Sequence, residues 1–236
     1  MGINGGRGIV GSGSVLGGSG ISIAGGGEAP FSFGNALQFD GVNDFATSAS
    51  TKVITGKYSI FFYLKIPSRN DVWFNYSDTN NYLLYMTSNL WYWHGFSGRE
   101  SFSYITPLNT WLAITISRNE SNICTLYVNG MEIDTCTRVN NFSFYGIGGY
   151  GSFTTEGLID ELYIYDGVEA DLNDNIAFYN SGNGIDLRTR AGFETPDRYY
   201  SFNEENDATI VTDAGTDGSD LTLTNFSTPP AYFVPH

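Results

Sequence analysis

Basic residues are scarce. Eleven lysines and arginines stand against 25 aspartates and glutamates in 236 residues, a formal charge of −14. Such a chain repels phosphate backbones and anionic lipid headgroups, so neither nucleic acid nor a membrane surface is expected as a partner. Histidine is scarcer still: His94 and His236 are the two, which leaves little for acid–base chemistry near neutral pH. The two cysteines, Cys124 and Cys136, are too few for a disulfide scaffold or a zinc site. No run approaches the roughly 20 apolar residues of a membrane span. The N-terminus is glycine-rich instead of basic and then apolar, so no signal peptide is read, and a protein acting outside a cell would leave by another route, such as a virus particle released by lysis. Charged residues of both signs make up only 15%. The surface is therefore left to Ser, Thr, Asn and Gly, which suits an extracellular or particle-surface protein better than a cytosolic enzyme.

Aromatics, in contrast, are plentiful, with 16 Tyr and 17 Phe, and the 41% hydrophobic content is enough for a real core. Strands and glycan platforms both favour such residues. The organisation reads as three parts. Residues 1–30 form a glycine-rich anchor in which Ile3, Ile9, Val15 and Ile21 recur at a constant spacing. A flexible linker has no need of periodic β-branched residues. A thin packed stem does, glycine permitting close backbone approach and the aliphatics forming an assembly seam. Residues 31–190 read as strands and turns: 58–66 (YSIFFYLKI), 73–76, 82–86, 90–94, 111–117 (WLAITIS), 123–128 (ICTLYV) and 158–165 (LIDELYIY). Asn129-Gly130 is a strong hairpin signal. It places Cys124 and Cys136 opposite one another or, with a one-residue slip in register, apart, so bonded and free thiols both remain open. Residues 191–236 return to strand signals. Short strands at this spacing indicate an antiparallel sandwich or jelly roll. One short helix is expected, capped by Asp171 with Asp174 three positions on, with Leu172, Ile176 and Tyr179 on one face and a stop at Asn180-Ser181-Gly182. In 158–165, strict alternation would set Asp160 on one face and Glu161 on the other.

Three stretches, LQFDGVNDFATS, NTWLAITISRNESNICTLYVNGMEID and GLIDELYIYDGVEADLNDNIAFYNSG, resemble the laminin-G-like, concanavalin-A-like lectin superfamily. The resemblance spans about residues 35–182 and implies an all-β, concanavalin-A-like antiparallel sandwich with one short helix. It says little about function, because the fold serves many kinds of recognition. Residues 199–226 are similar to the segment that usually opens such domains, yet here they follow the helix. The chain thus looks circularly permuted, its tail completing a sandwich, either its own or a neighbour's.

In such folds the FDG loop and the IDE strand approach each other, and some relatives hold a structural calcium there. Asp40, Asp44 and Asp160 are the carboxylates that resemblance would assign to Ca2+. Two other readings stand beside it: Asp40 and Asn43 as turn formers around Gly41, or Asp160 bonding loop amides with no metal. For glycans the best stretch is NLWYWHGFSGRE, where Trp91 and Trp93 share one face of a strand and Tyr92 and His94 the other, with Arg99 beyond; Tyr76 and Tyr82 flank a polar turn nearby. Sugar C–H groups stack on aromatic faces, so one of these faces is a candidate platform. The other reading packs both into the protein, and His94, between aromatics, reads as a packed structural histidine. No nucleophile elbow or zinc-protease motif occurs, and the glycine clusters lack the Lys-Ser/Thr of a phosphate loop. A glycosidase needs two convergent carboxylates, and no such paired motif appears. The expectation is a non-enzymatic virion structural protein, a bacteriophage fibre or decoration protein with a lectin-like head. It would be a homo-oligomer, by preference a trimer, attached to other virion proteins through residues 1–30, and would bind host-surface glycan. A carbohydrate-binding or adhesion module of a bacterial surface protein is the alternative, and a glycosidase-like enzyme the third.

Overall fold

YSIFFYLK is apolar at nearly every position, and a strand of that kind needs apolar cover on both faces. The computed structural model provides it. The structure describes residues 31–68, 72–75, 82–86, 90–95, 98–138, 141–148, 155–205, 207–226 and 233–236; the seam positions Ile3, Ile9, Val15 and Ile21 lie outside them. In chain order the strands are β1 (Asn35–Asp40), β2 (Phe45–Ile54), β3 (Tyr58–Lys65), β4 (Val72–Asn75), β5 (Tyr82–Met86) and β6 (Leu90–Gly95). Next come β7 (Gly98–Ser103), β8 (Leu112–Arg118), β9 (Ile123–Val128), β10 (Met131–Thr137), β11 (Phe142–Gly148) and β12 (Glu156–Asp166). Helix α1 (Leu172–Tyr179) follows, and β13 (Arg198–Tyr200), β14 (Ile210–Val211), β15 (Leu221–Thr224) and β16 (Phe233–Pro235) end the chain.

These strands make two antiparallel sheets. The first runs β10-β9-β8-β3-β12-β1-β16, with β13 also on β12; the second runs β14-β15-β2-β11-β4-β5-β6-β7. The expected concanavalin-A-like sandwich is therefore the observed architecture. Strands from beyond α1 enter both sheets. Between the sheets lies the main core, to which β3 contributes Tyr58, Ile60, Phe62 and Leu64. The alternate residues of β3, Phe61 and Tyr63, point the other way into a second apolar cluster with Tyr163, Tyr165, Phe178, Leu187, Phe193 and Tyr199. That cluster seals the outer face of the first sheet beneath α1 and the segment that follows it.

Local chemistry accounts for the joints. Asn129 and Gly130 both take left-handed backbone (φ 51° and 75°), as a two-residue hairpin turn requires. The Asn129 side chain also accepts the Ala113 amide at 2.9 Å. Asp171 and Asp174 form a reciprocal capping box at the start of α1, and Asn180 ends it in left-handed backbone (φ 42°). The buried face of α1 differs from the expected one: Asn175 and Phe178 are buried, while Leu172 and Ile176 are 46% and 52% exposed. Phe178 decides the orientation, because its ring meets Phe61 at 5.2 Å and Tyr63 at 4.6 Å.

Strand β12 departs from alternation. Along one edge it pairs with β1 at residues 156–159 and with β13 at 162–164. The register against β3 shifts between Asp160 and Tyr163, and Glu161 takes φ 51°. A bulge at Asp160-Glu161 thus lets one long strand serve two partners end to end.

Candidate functional site

Sheet order decides which face of β6 is core. Trp91 and Trp93 point between the sheets and are 0% exposed. Their indole N–H groups donate to Thr106 Oγ1 at 2.7 Å and to the Tyr58 hydroxyl at 2.9 Å. Trp93 stacks on Phe142 with centroids 5.6 Å apart. These two rings fill the core and offer no face to a ligand, which corrects their reading as a glycan platform. Tyr92 lies on the opposite, outer face and is half-buried. Tyr76 lies outside the described residues. Tyr82 opens β5, and its side chain, like those of His94 and Arg99, is also outside what is described.

The FDG turn is held by its own carboxylates. Asp40 Oδ1 accepts the Val42 amide at 2.8 Å, and Asp44 Oδ2 accepts the Asp40 amide at 2.9 Å. Asp44 is buried, and burial pushes its carboxyl up to about 6. Its Oδ1 has no partner among the described residues. Asp160 does not join this pair. Asp40 pairs with Glu156 across to β12, and Asp160 sits four residues further along that strand, engaged elsewhere. Among the described residues no three acidic, histidine or cysteine side chains converge as a metal group. Asp40 and Asp44 thus share the FDG turn, and Asp160 lies apart from them.

The unexpected cluster is at the β12 bulge. The extra residue puts both Asp160 and Glu161 on the outer, covered side of the first sheet, which corrects the expectation that they face opposite ways. Glu161 Oε2 accepts from the hydroxyls of Tyr163 and Tyr199, each at 2.8 Å. Arg188 lies 4.3 Å over the Tyr199 ring and is paired with Asp186 at 2.7 Å. Asp160 Oδ1 accepts the Glu161 amide at 2.8 Å, and its Oδ2 meets His236 Nδ1 at 2.7 Å. The His236 ring stacks on Trp111 at 3.7 Å and lies 4.0 Å from Phe33. Burial pushes Asp160 up to about 8. Burial, with the Asp160 charge beside it, pushes Glu161 to about 8 as well. Burial and then Lys65 lower His236 to about 4. Both shifts disfavour the charged forms, as expected where two buried charges would otherwise face each other. No local signal links residues 160 and 236, so this site was not legible from the sequence.

Two carboxyls side by side invite comparison with a hydrolase. Glycoside hydrolysis needs a pair flanking a bond that substrate can reach. Asp160 and Glu161 are 0% and 1% exposed, roofed by tyrosines and His236. They can hold structure and titrate, but no sugar reaches them. A shallow hollow of about 450 Å³ lies nearby at the end of α1, lined by Ala177, Asn180, Ile185, Thr189, Arg190 and Ala191. Its one charged side chain, Arg190, is held by Asp174 at 2.6 Å.

Residues 40–171 match the family model of the Concanavalin A-like lectin/glucanases superfamily. No curated protein sequence matches the chain. Among solved structures it is similar to a protein from Bacteroides ovatus ATCC 8483 to which carbohydrate binding is attributed. That match has 14% identity and a TM-score of 0.61, over 83% of this chain and 59% of that one. It is also similar to a heptameric SAP-like pentraxin from Limulus polyphemus, with 14% identity and a TM-score of 0.54, over 84% of this chain and 98% of that one. The chain thus spans about three-fifths of the Bacteroides protein. At these identities the likeness establishes the fold.

Proposed function

Because the chain belongs to the concanavalin A-like lectin/glucanases superfamily, we propose that it is a non-enzymatic recognition module that binds carbohydrate on the outer face of its second sheet. One observation carries this reading: the outer face of the first sheet is sealed by a second apolar cluster, whereas no described segment forms such a cluster over the second. That outer face presents Tyr92 from β6 and Tyr145 from β11, both half-buried. The two strands are three apart in the sheet order, about 14 Å laterally, a distance an oligosaccharide bridges. Tyrosine offers a ring for sugar C–H groups and a hydroxyl for their oxygens. The likeness to a Bacteroides ovatus protein with attributed carbohydrate binding agrees with this reading. The sealing of Asp160 and Glu161 supports the absence of hydrolysis.

The finer reading is a fibre or decoration protein of a virus particle, assembled in the host cytoplasm, trimeric, with residues 1–30 engaging other virion proteins. Its support is the sixfold spacing of Ile3, Ile9, Val15 and Ile21. A carbohydrate-binding module of a bacterial surface protein uses the same face and is favoured by the Bacteroides likeness.

A glycan array probed with the full chain and with the Tyr92→Ala/Tyr145→Ala double variant tests the face. Binding by the parent and its loss in a variant of unchanged melting temperature is the expected outcome. Undiminished binding by the variant overturns the assignment. Light scattering of the full chain and of a chain lacking residues 1–27 separates the finer readings: a trimer that falls to monomer supports the virion stem, and a monomer in both removes it.

A further inference from the structure

The β9–β10 hairpin carries a chemistry that carbohydrate recognition leaves unused. Its register sets Cys136 directly opposite Cys124, and both are free thiols. A directly facing pair on adjacent antiparallel strands has Cα atoms about 4.5–5.5 Å apart, within the span a disulfide bridges. Cys124 is fully buried, with its sulfur 3.5 Å from the Tyr58 hydroxyl. Cys136 is partly exposed and packs against the edge of the main core. It lies on β10, the edge strand of its sheet, so one flank of the pair is open to small solutes.

We propose that Cys124 and Cys136 form a thiol–disulfide exchange site, which closes into a cross-strand disulfide when the protein meets a low-molecular-weight disulfide such as glutathione disulfide. The two sulfurs differ in exposure and in acidity. A hydrogen bond shared with Cys136, then the Tyr58 hydroxyl, Arg138 and Arg118, hold the Cys124 thiol below its ordinary range against the opposing effect of burial. Cys136 is correspondingly raised, by that same bond first, then by burial, the Cys124 charge and Glu100. Cys136 is the more exposed residue of the pair and is assigned the first step. It loses its proton to solvent, attacks one sulfur of the reagent and expels the first thiol, leaving a mixed disulfide. The Cys124 thiolate then attacks the Cys136 sulfur, forms the protein disulfide and expels the second thiol. Two S–H bonds are lost from the protein and two electrons pass to the reagent, which leaves as two thiols.

The closed form acts on a structural joint. At this edge the two sheets are tied by the Ser103 amide donating to Asp134 Oδ2 at 2.7 Å. They are tied again by Arg138 donating to the Trp93 carbonyl at 3.3 Å. A covalent bridge between β9 and β10 holds both contacts in register. In an oxidising medium the edge strand becomes a fixed border of the sandwich.

The test uses the full chain, incubated with glutathione disulfide and then denatured and labelled with a maleimide. The expected result is two labels before incubation, none after it, and a native mass lighter by two hydrogens, reversed by dithiothreitol. Cys124→Ser is expected to stop at a stable glutathione adduct on Cys136, and Cys136→Ser to take up no glutathione while folded. Two labels still present after incubation, or a parent chain that keeps a glutathione adduct, overturns the proposal. The parent readout decides alone should a variant fail to fold.

Discussion

The two sheets of the sandwich share one interior but differ on their outer faces. The first sheet has tyrosine and phenylalanine on its outer side, and they are buried: Phe61 and Tyr163 are 0% exposed. The second sheet turns Tyr92, Tyr145 and Val53 outward, and Val53 is 50% exposed. The difference comes from where the chain goes after β12. The segment containing α1 and residues 185–199 covers the outer face of the first sheet, bringing Phe178, Leu187, Phe193 and Tyr199 to it. One face is thereby committed to stability, and the other is the face on which recognition is proposed. A face can do one of these well, since the aromatic surface that binds a ligand must stay wet when the ligand is absent.

The largest effect should come from emptying the sealed face. Phe61 sits at its centre, 6.0 Å from Tyr165, 5.2 Å from Phe178 and 5.5 Å from Phe193, ring to ring. Phe61→Ala leaves a cavity among rings that are fixed by other contacts and is expected to lower unfolding stability by about 3–5 kcal/mol. A denaturant midpoint measures it. A loss below about 1 kcal/mol would mean that the covering segment is only loosely attached, and the contrast between the two faces would fail.

Reading the sequence went furthest where one residue type has one physical use. The doubly apolar run of β3, the Asn129-Gly130 turn and the Asp171–Asp174 cap all announce themselves, because each satisfies a local rule. The family resemblance added the sandwich itself. What stayed hidden was set by long-range packing. Trp91 and Tyr92 are equally good candidates for either face until the sheet order makes one side the interior. The bulge at Asp160-Glu161 leaves no trace in LIDELYIY, which alternates cleanly on paper; one inserted residue exchanges the faces before and after it without changing composition. His236 meets Asp160 across 76 positions of chain, a contact no local pattern encodes.

The buried carboxyls give the sealed face a pH dependence. For Asp160 and Glu161 the folded value, about 8 for each, lies above the unfolded value near 4. Between those limits the folded chain holds protons that the unfolded chain has released. Their contribution to stability is therefore complete below about pH 4, falls as pH rises and is gone once pH passes about 8. His236 works in the opposite direction at the acid end: its folded value of about 4 lies below the ordinary 6.5, so stability rises with pH across that interval. The carboxyl slope should therefore emerge cleanly above about pH 6.5. Glu161→Gln keeps an oxygen for the Tyr163 and Tyr199 hydroxyls but removes one titration. At pH 9 it is expected to be more stable than the parent by on the order of 2 kcal/mol, with little difference at pH 5. Parallel denaturation series at the two pH values check this, and equal stability gaps at both would assign the bulge no titrating role.

The smallest effect should come from the open face, and its smallness is informative. Val53 lies on β2 opposite Ser143 of β11 and points away from the interior. Val53→Thr keeps the branched side chain that strands favour and exchanges one methyl for a hydroxyl that water can satisfy. No buried partner is left unpaired and no cavity forms, so the expected change in stability is within about 0.5 kcal/mol. A melting curve that falls as far as that of Phe61→Ala would place an apolar cover over this face too. Tyr145 on the neighbouring strand β11 would then be inaccessible, and the proposed recognition surface would have to lie elsewhere on the molecule. A near-neutral result, set against the loss at Phe61, shows that two outward positions on neighbouring sheets differ by what the chain lays over them and not by the strands that carry them.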